Sequence, residues 1–473
     1  MWVKAILNAS IIYGNITCMA KEMKKRKQTV DMTSGSITKP LILFILPIIG
    51  SGVLQLLYNT VDFIYVGNLL NKTSAAAVGA SSTLIFCCIG LFSSIAVGTS
   101  VVVSQALGAH NGKDAGKALH TSIAFSLLGG AVLMLLAIAF APEILKLLNT
   151  PGRAMEEAVA YMRIYMLSTP AMIYYNVCSG AIRAAGDSRT PFCILAVCGV
   201  VNVAADAVFL IIIPLGVAGV AIATAIAQVL SAVLITRALC RGESSLKLEL
   251  GKLRIDSDML KRVLSIGLPT GIQTVLITVS NVMVQYHINA FDETAVAAFA
   301  TYYKVESFVY LPITAFGQAA TTFAGQNTGA VRYDRVRTGC RMILIVCIIT
   351  TVLLAGIVLL FPKTVFGWVM KDDAVVAETI LIASISFPFY WLYSFQEVYG
   401  GAIRGMGNAV GPMAVIIGNL CVLRLLLLEI LSRVVGTLQS IAAVYPLTWG
   451  GTALCFIVLY AVTIRGKTEI VHI

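Results

Sequence analysis

Twelve long apolar segments limit what this chain can fold into more than any other feature of its sequence. A helix rises about 1.5 Å per residue, so roughly 18 apolar residues cross a hydrocarbon core about 30 Å thick. The segments lack the period-two alternation of membrane strands, which predicts helices. They cover residues 41–66, 75–106, 119–141, 158–180, 191–213, 216–236, 263–288, 294–326, 342–361, 377–400, 411–432 and 437–464.

The composition excludes a water-soluble globule. Of 473 residues, 58% are hydrophobic and only 12% are charged, whereas soluble domains have roughly 45–50% and about 25%. We therefore predict an all-α integral membrane protein embedded in a lipid bilayer. The net charge of +11 is interpreted as a topology signal, and nucleic acid is not expected as a partner.

The basic residues predict the orientation of the chain, because Lys and Arg are enriched in cytoplasmic loops. With a cytoplasmic N-terminus, 25 of the 34 basic residues fall in cytoplasmic tails and loops, and six fall in the opposite loops. We therefore predict a multi-pass protein of the plasma (inner) membrane with both termini in the cytoplasm.

An internal repeat organises the spans. Gly180–Gly186 (GAIRAAG) recurs as Gly401–Gly407 (GAIRGMG), a shift of 221 positions, and Gln105 recurs as Gln326 at the same shift. The repeated unit holds six spans, so the two copies are related by an axis along the membrane normal. We predict two pseudo-symmetric six-helix lobes.

The repeat also gives the domain boundaries. A basic run, Lys21–Lys27, follows the first apolar stretch, which is unlike a signal peptide; translation starting at Met32 is an alternative. The predicted parts are a basic cytoplasmic tail (1–31), the N-lobe with spans 1–6 (32–240), a cytoplasmic linker (241–262), and the C-lobe with spans 7–12 and a short tail (263–473).

The sequence lacks the motifs of soluble enzymes. Gly466–Thr468 resembles the end of a phosphate-binding loop, but Ala461 stands where that loop needs glycine. Eleven cysteines without a C-x-x-C pair, and four histidines, indicate neither a disulfide framework nor a zinc site. We expect no enzyme activity and no cofactor; an ion gradient, of protons or sodium, is the simplest energy source.

Two carboxylates in the N-lobe are the strongest candidates for ion coupling. Asp62 lies in the first span and Asp206 in the fifth, where Asn202 shares its helix face. A lone carboxylate in a bilayer is costly, so each should face a polar cavity, a proton or a cation; satisfied packing residues are the alternative.

The repeat separates these two interpretations. In the C-lobe the counterparts of Asp62, Asn202, Asp206 and Thr224 are Met283, Leu423, Leu427 and Tyr445. Because the C-lobe is built without these polar groups, we interpret the N-lobe set as serving ion coupling rather than folding.

Further polar and aromatic residues within the spans are candidates for substrate or gating contacts. Lys304 and Glu306 are two residues apart and point to different helix faces, so structural ion pairs with other spans are an alternative role. The aromatic residues could instead serve helix packing or interface anchoring. The whole set is Tyr58, Tyr174, Tyr175, Lys304, Glu306, Gln396, Glu397 and Arg424.

The chain resembles the multidrug and toxic compound extrusion (MATE) family, in its NorM-type and DinF-type branches, over nearly all of residues 32–465. The motifs that carry the resemblance are Met32–Ser36 leading to Pro47, Asp62–Leu69 (DFIYVGNL), Gln105–Ala109 (QALGA), Gly180–Arg183 (GAIR) and Gly325–Ala330 (GQNTGA).

This resemblance implies a monomeric cation-driven antiporter that exports small organic, cationic or amphiphilic drugs and toxins by alternating between V-shaped states. The family's cation-site residues fall on Asp62, Asn202, Asp206 and Thr224. Proton coupling needs only the two carboxyl groups, which would titrate as a unit, whereas sodium would also use the oxygens of Asn202 and Thr224. No acid lies between Ile266 and Ile288, where some branches carry one.

Two other functions stay open at this point. A lipid-linked saccharide flippase of the wider MATE-related superfamily would be expected to have a more cationic cavity, for which only Lys304, Arg424 and Arg163 are available. A receptor or scaffold without transport would not require carboxylates in one repeat alone.

Overall fold

The computed structural model describes residues 31–69, 74, 77–79, 81, 90–147, 150, 152–242 and 246–471. These residues form helices joined by short connections, without a β-strand among them, which confirms the all-α prediction. The predicted basic tail, apart from Asp31, and part of the second predicted span lie outside the described residues.

The helices are numbered in chain order over the described residues. Those before the linker are α1 (Thr38–Leu69), α2 (Ile95–Gly108), α3 (Gly112–Ala139), α4 (Ala141–Leu147), α5 (Gly152–Leu167), α6 (Thr169–Ala184), α7 (Arg189–Ala207) and α8 (Val217–Arg241). Those after it are α9 (Ser257–Ile288), α10 (Glu293–Gly329), α11 (Tyr333–Leu360), α12 (Pro362–Val369), α13 (Asp373–Ser386), α14 (Tyr393–Gly405), α15 (Val410–Ile416), α16 (Arg424–Val434) and α17 (Leu438–Val471).

Ten helical segments of the described chain are long and apolar enough to cross a membrane. They are Thr38–Asp62, Gly90–Gly108, Gly112–Ala139, Arg189–Ile212, Val217–Arg241, Ser257–Ile288, Tyr333–Leu360, Asp373–Gly405, Val410–Val434 and Leu438–Glu469. The fourth and eighth predicted spans are not among them, for two different reasons.

The fourth predicted span, 158–180, is interrupted. Helices α5 and α6 have 16 residues each and meet at Ser168, where Pro170 in the first turn of α6 brings no backbone N–H. The eighth predicted span, 294–326, lies within the unbroken 37-residue helix α10. Its many polar residues, including Lys304 and Glu306, lower the mean hydropathy.

The chain divides into two compact units. The first contains Leu46–Val103 and Gly112–Val263, and the second contains Met32–Ile45, Ser104–Asn111 and Leu264–Ile473. Helices α1 and α2 therefore each contribute residues to both units. The sequence instead predicts two lobes that are separated only at the linker.

The linker packs on helix α3 inside the first unit. The amide of Glu249 donates to His120 Nε2 at 3.1 Å, and the amide of Asp256 donates to Thr121 Oγ1 at 3.1 Å. Leu246 is buried as well. Lys252 pairs with Glu249 at 2.8 Å, and its ammonium lowers the pKa of that exposed carboxyl. The end of the first unit is thus fixed by specific contacts.

The repeat extends to the backbone geometry of the described residues. Helices α6 and α14 both end on a left-handed glycine, Gly186 with φ 85° and Gly407 with φ 94°, the usual way to stop a helix. His110 (φ 54°) and Val331 (φ 57°) adopt the same left-handed conformation after α2 and α10. Both pairs are separated by 221 positions, so the sequence repeat reflects repeated helix ends.

Candidate functional site

Helices α1 and α7 lie side by side in the first unit and bring two acids together. The ring of Phe192 covers Gly50, and the ring of Tyr58 lies against Gly199, so the helices run in the same direction. Asp62 follows Tyr58 by four residues on α1, and Asp206 follows Gly199 by seven residues on α7, so both acids lie beyond this contact at the same end of the helix pair. The carboxyl groups of Asp62 and Asp206 lie close enough to interact directly.

The buried face of helix α7 becomes polar towards the C-terminal end of the helix. Ile194, Cys198, Asn202 and Asp206 follow one another at intervals of four and are all buried, as expected for one stripe of a helix. The exposed fraction is 3% for Asn202 and 0% for Asp206, whereas Asp62 is half-buried. Asp62 is therefore the more exposed of the two acids.

These side chains have buried atoms without partners. Both carboxylate oxygens of Asp206, both amide atoms of Asn202 and Oδ1 of Asp62 make no hydrogen bond among the described residues. Burying such groups unpaired costs free energy, so a folded protein rarely keeps several together without a use for them. Carboxylate and amide oxygens of this kind fit a hard cation or a shared proton.

A π-helical turn, Val208–Ile212, begins directly after this site. The amide of Ile213 donates to Val208 O at 2.8 Å across five residues, the wider spacing that defines such a turn. Turns of this type occur frequently at functional sites because they rotate the preceding side chains out of the regular helical register. Here the turn sets the end of the stripe that carries Asp206.

The other predicted residues of the first unit divide into two groups. Tyr58 lies one turn before Asp62 and within electrostatic range of it. Tyr165 of α5 is also within electrostatic range of Asp62, and no sequence signal marks it as a site residue. Tyr174 instead shares a hydrogen bond with Thr236 at 2.6 Å, and Tyr175 donates to Pro191 O at 3.0 Å. These two bonds join helices, the packing role considered for such aromatics.

Thr224 lies half-buried on α8, a helix that packs against α7. No described hydrogen bond links its hydroxyl to either carboxyl group. Over the described residues, no group of three His, Cys, Asp or Glu side chains could hold a metal. The structure thus brings together Asp62, Asn202 and Asp206 of the predicted set and does not join Thr224 to them.

The sequence model of the MatE family matches residues 47–208 and again residues 269–428. The chain belongs to the MatE family. Two matches of one model also agree with the internal repeat. Proteins of this family are transporters and not enzymes, so the predictions of family and of a multi-pass membrane transporter are confirmed.

Named relatives of this MatE protein cover most of its length. The probable multidrug resistance protein YoeA of Bacillus subtilis is 27% identical over 398 residues, 82% of this chain and 85% of that protein. The probable multidrug resistance protein NorM of Thermotoga maritima is 24% identical over 383 residues, 80% of this chain and 82% of that protein.

Solved structures confirm the MatE fold. An outward-facing multidrug resistance MATE family transporter aligns with a TM-score of 0.88 at 20% identity, covering 94% of this chain and 99% of the other. A MATE protein in a straight conformation aligns with the same score and coverage.

The second unit of this MatE protein holds the remaining predicted residues. Glu306 accepts a hydrogen bond from Tyr390 at 2.9 Å, a neutral partner in place of the ion pair considered for it. Gln396 is buried and its amide donates to Glu397 at 3.4 Å. Lys304 is exposed. Arg424 contacts Asn281 and Tyr445, two residues that sequence reasoning did not select as site residues.

Proposed function

We propose that this MatE-family transporter exports small organic drugs and toxins, cationic or amphiphilic, in exchange for protons or sodium ions. Asp62, Asn202 and Asp206 form its cation site, with Thr224 as a further oxygen donor when the ion is sodium. The single observation that carries this proposal is the proximity of two carboxyl groups in a membrane-spanning unit, buried Asp206 and half-buried Asp62, whose buried oxygens have no other partner. Relatives named as multidrug resistance proteins support drugs as the cargo.

The coupling follows from electrostatics at the carboxyl pair. Two carboxylates at short range in a low-dielectric site repel each other, and a bound proton or cation relieves the repulsion. The pair therefore exists in a neutralised and an ionised form that differ in free energy. Antiport requires that one form favours the state that releases substrate outside, and that the other favours the state that collects it inside.

Transport in reconstituted liposomes tests the proposal. A sodium gradient and a pH gradient are imposed separately, and movement of the fluorescent cation ethidium is followed. We expect one gradient or the other to drive transport by the wild type, and Asp206→Asn to reduce it to the level of empty liposomes while the protein stays folded.

Asp258→Asn is the matched control, because Asp258 is an exposed acid in the first turn of α9, and it should transport normally. Undiminished gradient-driven transport by Asp206→Asn would overturn the proposed cation site. Transport of lipid-linked saccharides in place of ethidium would overturn the proposed cargo.

A further inference from the structure

A buried arginine at the start of α16 lacks an acidic partner in direct contact. Arg424 is only 3% exposed. Its Nη1 donates to Asn281 Oδ1 at 3.2 Å, and its guanidinium lies 5.3 Å from the ring centre of Tyr445. Its Nε is buried without a partner, and no ion pair of the described chain includes it. A buried guanidinium held only by neutral groups is costly unless something anionic joins it.

The local structure holds this arginine in place. A π-helical turn, Ile417–Leu423, ends directly before Arg424. Ser280 of α9 donates to Leu420 O within that turn at 2.5 Å, which fixes α9 against the turn next to Asn281. Asn281 itself is exposed, so the cluster reaches the surface of the second unit on that side.

The repeat places this cluster at the C-lobe counterpart of the carboxyl site. At the shift of 221 positions, Tyr445 corresponds to Thr224, and Arg424 follows Leu423, the counterpart of Asn202. The counterparts of the two acids are apolar. Equivalent regions of the two repeats therefore have opposite polarity, with acids in the first and a guanidinium in the second.

The neighbouring groups can supply further donors. Tyr303 and Tyr445 share one hydrogen bond between their hydroxyls at 2.6 Å, and such a pair uses only one of its two hydroxyl hydrogens. The other is available to a ligand. Glu306 lies within electrostatic range of Arg424, but its carboxyl group accepts from Tyr390 instead. The cluster thus offers two hydrogen-bond donors, the Nε–H of Arg424 and one tyrosine O–H, next to the positive charge of the guanidinium.

We propose that Arg424, Asn281 and the Tyr303–Tyr445 pair form an anion subsite that binds the carboxylate of a zwitterionic or acidic organic substrate. The proposal rests on the proposed export function and narrows its substrate class. A guanidinium suits a carboxylate because its planar donors match the two oxygens. An exported molecule with an amine and a carboxylate would then engage this subsite through its acidic end.

Equilibrium binding to the purified full-length protein tests this proposal. The probes are a rhodamine dye that carries a free carboxylate and the methyl ester of the same dye, compared by fluorescence anisotropy. We expect Arg424→Gln to weaken binding of the acid about tenfold, the loss of roughly one charge-assisted hydrogen bond, and to leave binding of the ester within about twofold. Arg424→Lys, which keeps the charge, should recover part of the acid's affinity.

Arg433→Gln is the matched control, because Arg433 is an exposed arginine that pairs with Glu429 on the same helix; it should bind both probes as the wild type does. Equal weakening of acid and ester by Arg424→Gln, or no weakening of the acid, would overturn the subsite. Displacement of the acid probe by phosphatidylglycerol, but not by benzoate, would assign the cluster to a lipid headgroup and overturn the substrate assignment.

This binding experiment needs no ion gradient. Arg424-dependent binding of the acid, together with a failure of gradient-driven transport in liposomes, would refute the proposed antiport and leave the anion subsite standing. The reverse pattern would refute the subsite alone.

Discussion

At the scale of single residues, unpartnered buried atoms identify the site. Asp62, Asn202 and Asp206 provide five of the sixteen buried side-chain atoms that lack a hydrogen bond in the described chain. The other unpartnered atoms, such as Ser179 Oγ, occur one to a residue along the described chain, whereas Asn202 and Asp206 each hold two. Polar groups kept unpaired at one place indicate selection for function at the expense of stability.

Replacement of Asn202 by leucine tests that trade-off. Leucine has a similar volume and no polar atoms, so Asn202→Leu should raise the free energy of unfolding by about 1–3 kcal/mol, the usual cost of an unpaired buried polar group. The measurement is the midpoint of thermal unfolding in sodium-free buffer.

A lower midpoint for Asn202→Leu would contradict the prediction, since it would show that the amide stabilises the fold. Transport by the same variant then assigns the ion. Sodium-driven transport should be lost because the amide oxygen is a ligand, whereas proton-driven transport should persist because it needs only the carboxyl pair.

At the scale of helices, two repeated glycines allow a close crossing within the second unit. A Cβ at Gly108 of α2 would lie 1.9 Å from Gln326 O, and one at Gly329 of α10 would lie 1.9 Å from Gln105 O. Each glycine therefore meets the backbone of the other helix. The glutamines and glycines that repeat in the sequence are in contact in the structure, which explains why both copies need glycine.

Gly329→Ala should weaken this crossing. Backbone cannot move aside as a side chain can, so we expect a loss of about 1–3 kcal/mol in the free energy of unfolding, measured as a lower thermal midpoint. Gly356→Ala is the control, because a Cβ at that position of α11 meets no atom within 4 Å. It should be neutral or stabilising by up to about 1 kcal/mol. Equal midpoints for the two variants would refute the tight crossing.

At the scale of the whole molecule, the distribution of the few Lys and Arg residues predicts the topology. The excess of Lys and Arg in alternate loops predicts which loops face the cytoplasm. Lys113, in the first turn of α3, belongs to the predicted cytoplasmic side, and Lys371, between α12 and α13, belongs to the opposite side. Both are exposed, so both can report the orientation.

Cysteine labelling in intact cells checks this orientation. We expect Lys371→Cys to react with a membrane-impermeant maleimide added outside, and Lys113→Cys to react only after the membrane is permeabilised. The wild type, with its own cysteines, gives the background in each condition. External labelling of Lys113→Cys without permeabilisation would reverse the predicted topology.

Features that depend on local composition and on repetition could be predicted from the sequence. Apolar length predicts which segments can cross a membrane, and the shift of 221 positions makes Gly186 and Gly407 equivalent residues, which the structure places at two equivalent helix ends. The apolar counterparts in the second repeat, Met283 and Leu427, selected Asp62 and Asp206 as candidates. These predictions were possible because each needs only a short stretch of sequence or the comparison of two such stretches.

The tertiary structure alone decided which residues meet. The Ser168 interruption, the transfer of residues 32–45 and 104–111 to the second unit, and the contact of Arg424 with Asn281 all depend on packing between distant segments. A helical period shows which face of a helix is polar, but it does not show which neighbour that face will touch. The neighbour is set by the summed packing of all the helices, so Asp62 and Asp206 were predictable as candidates and only the fold made them a pair.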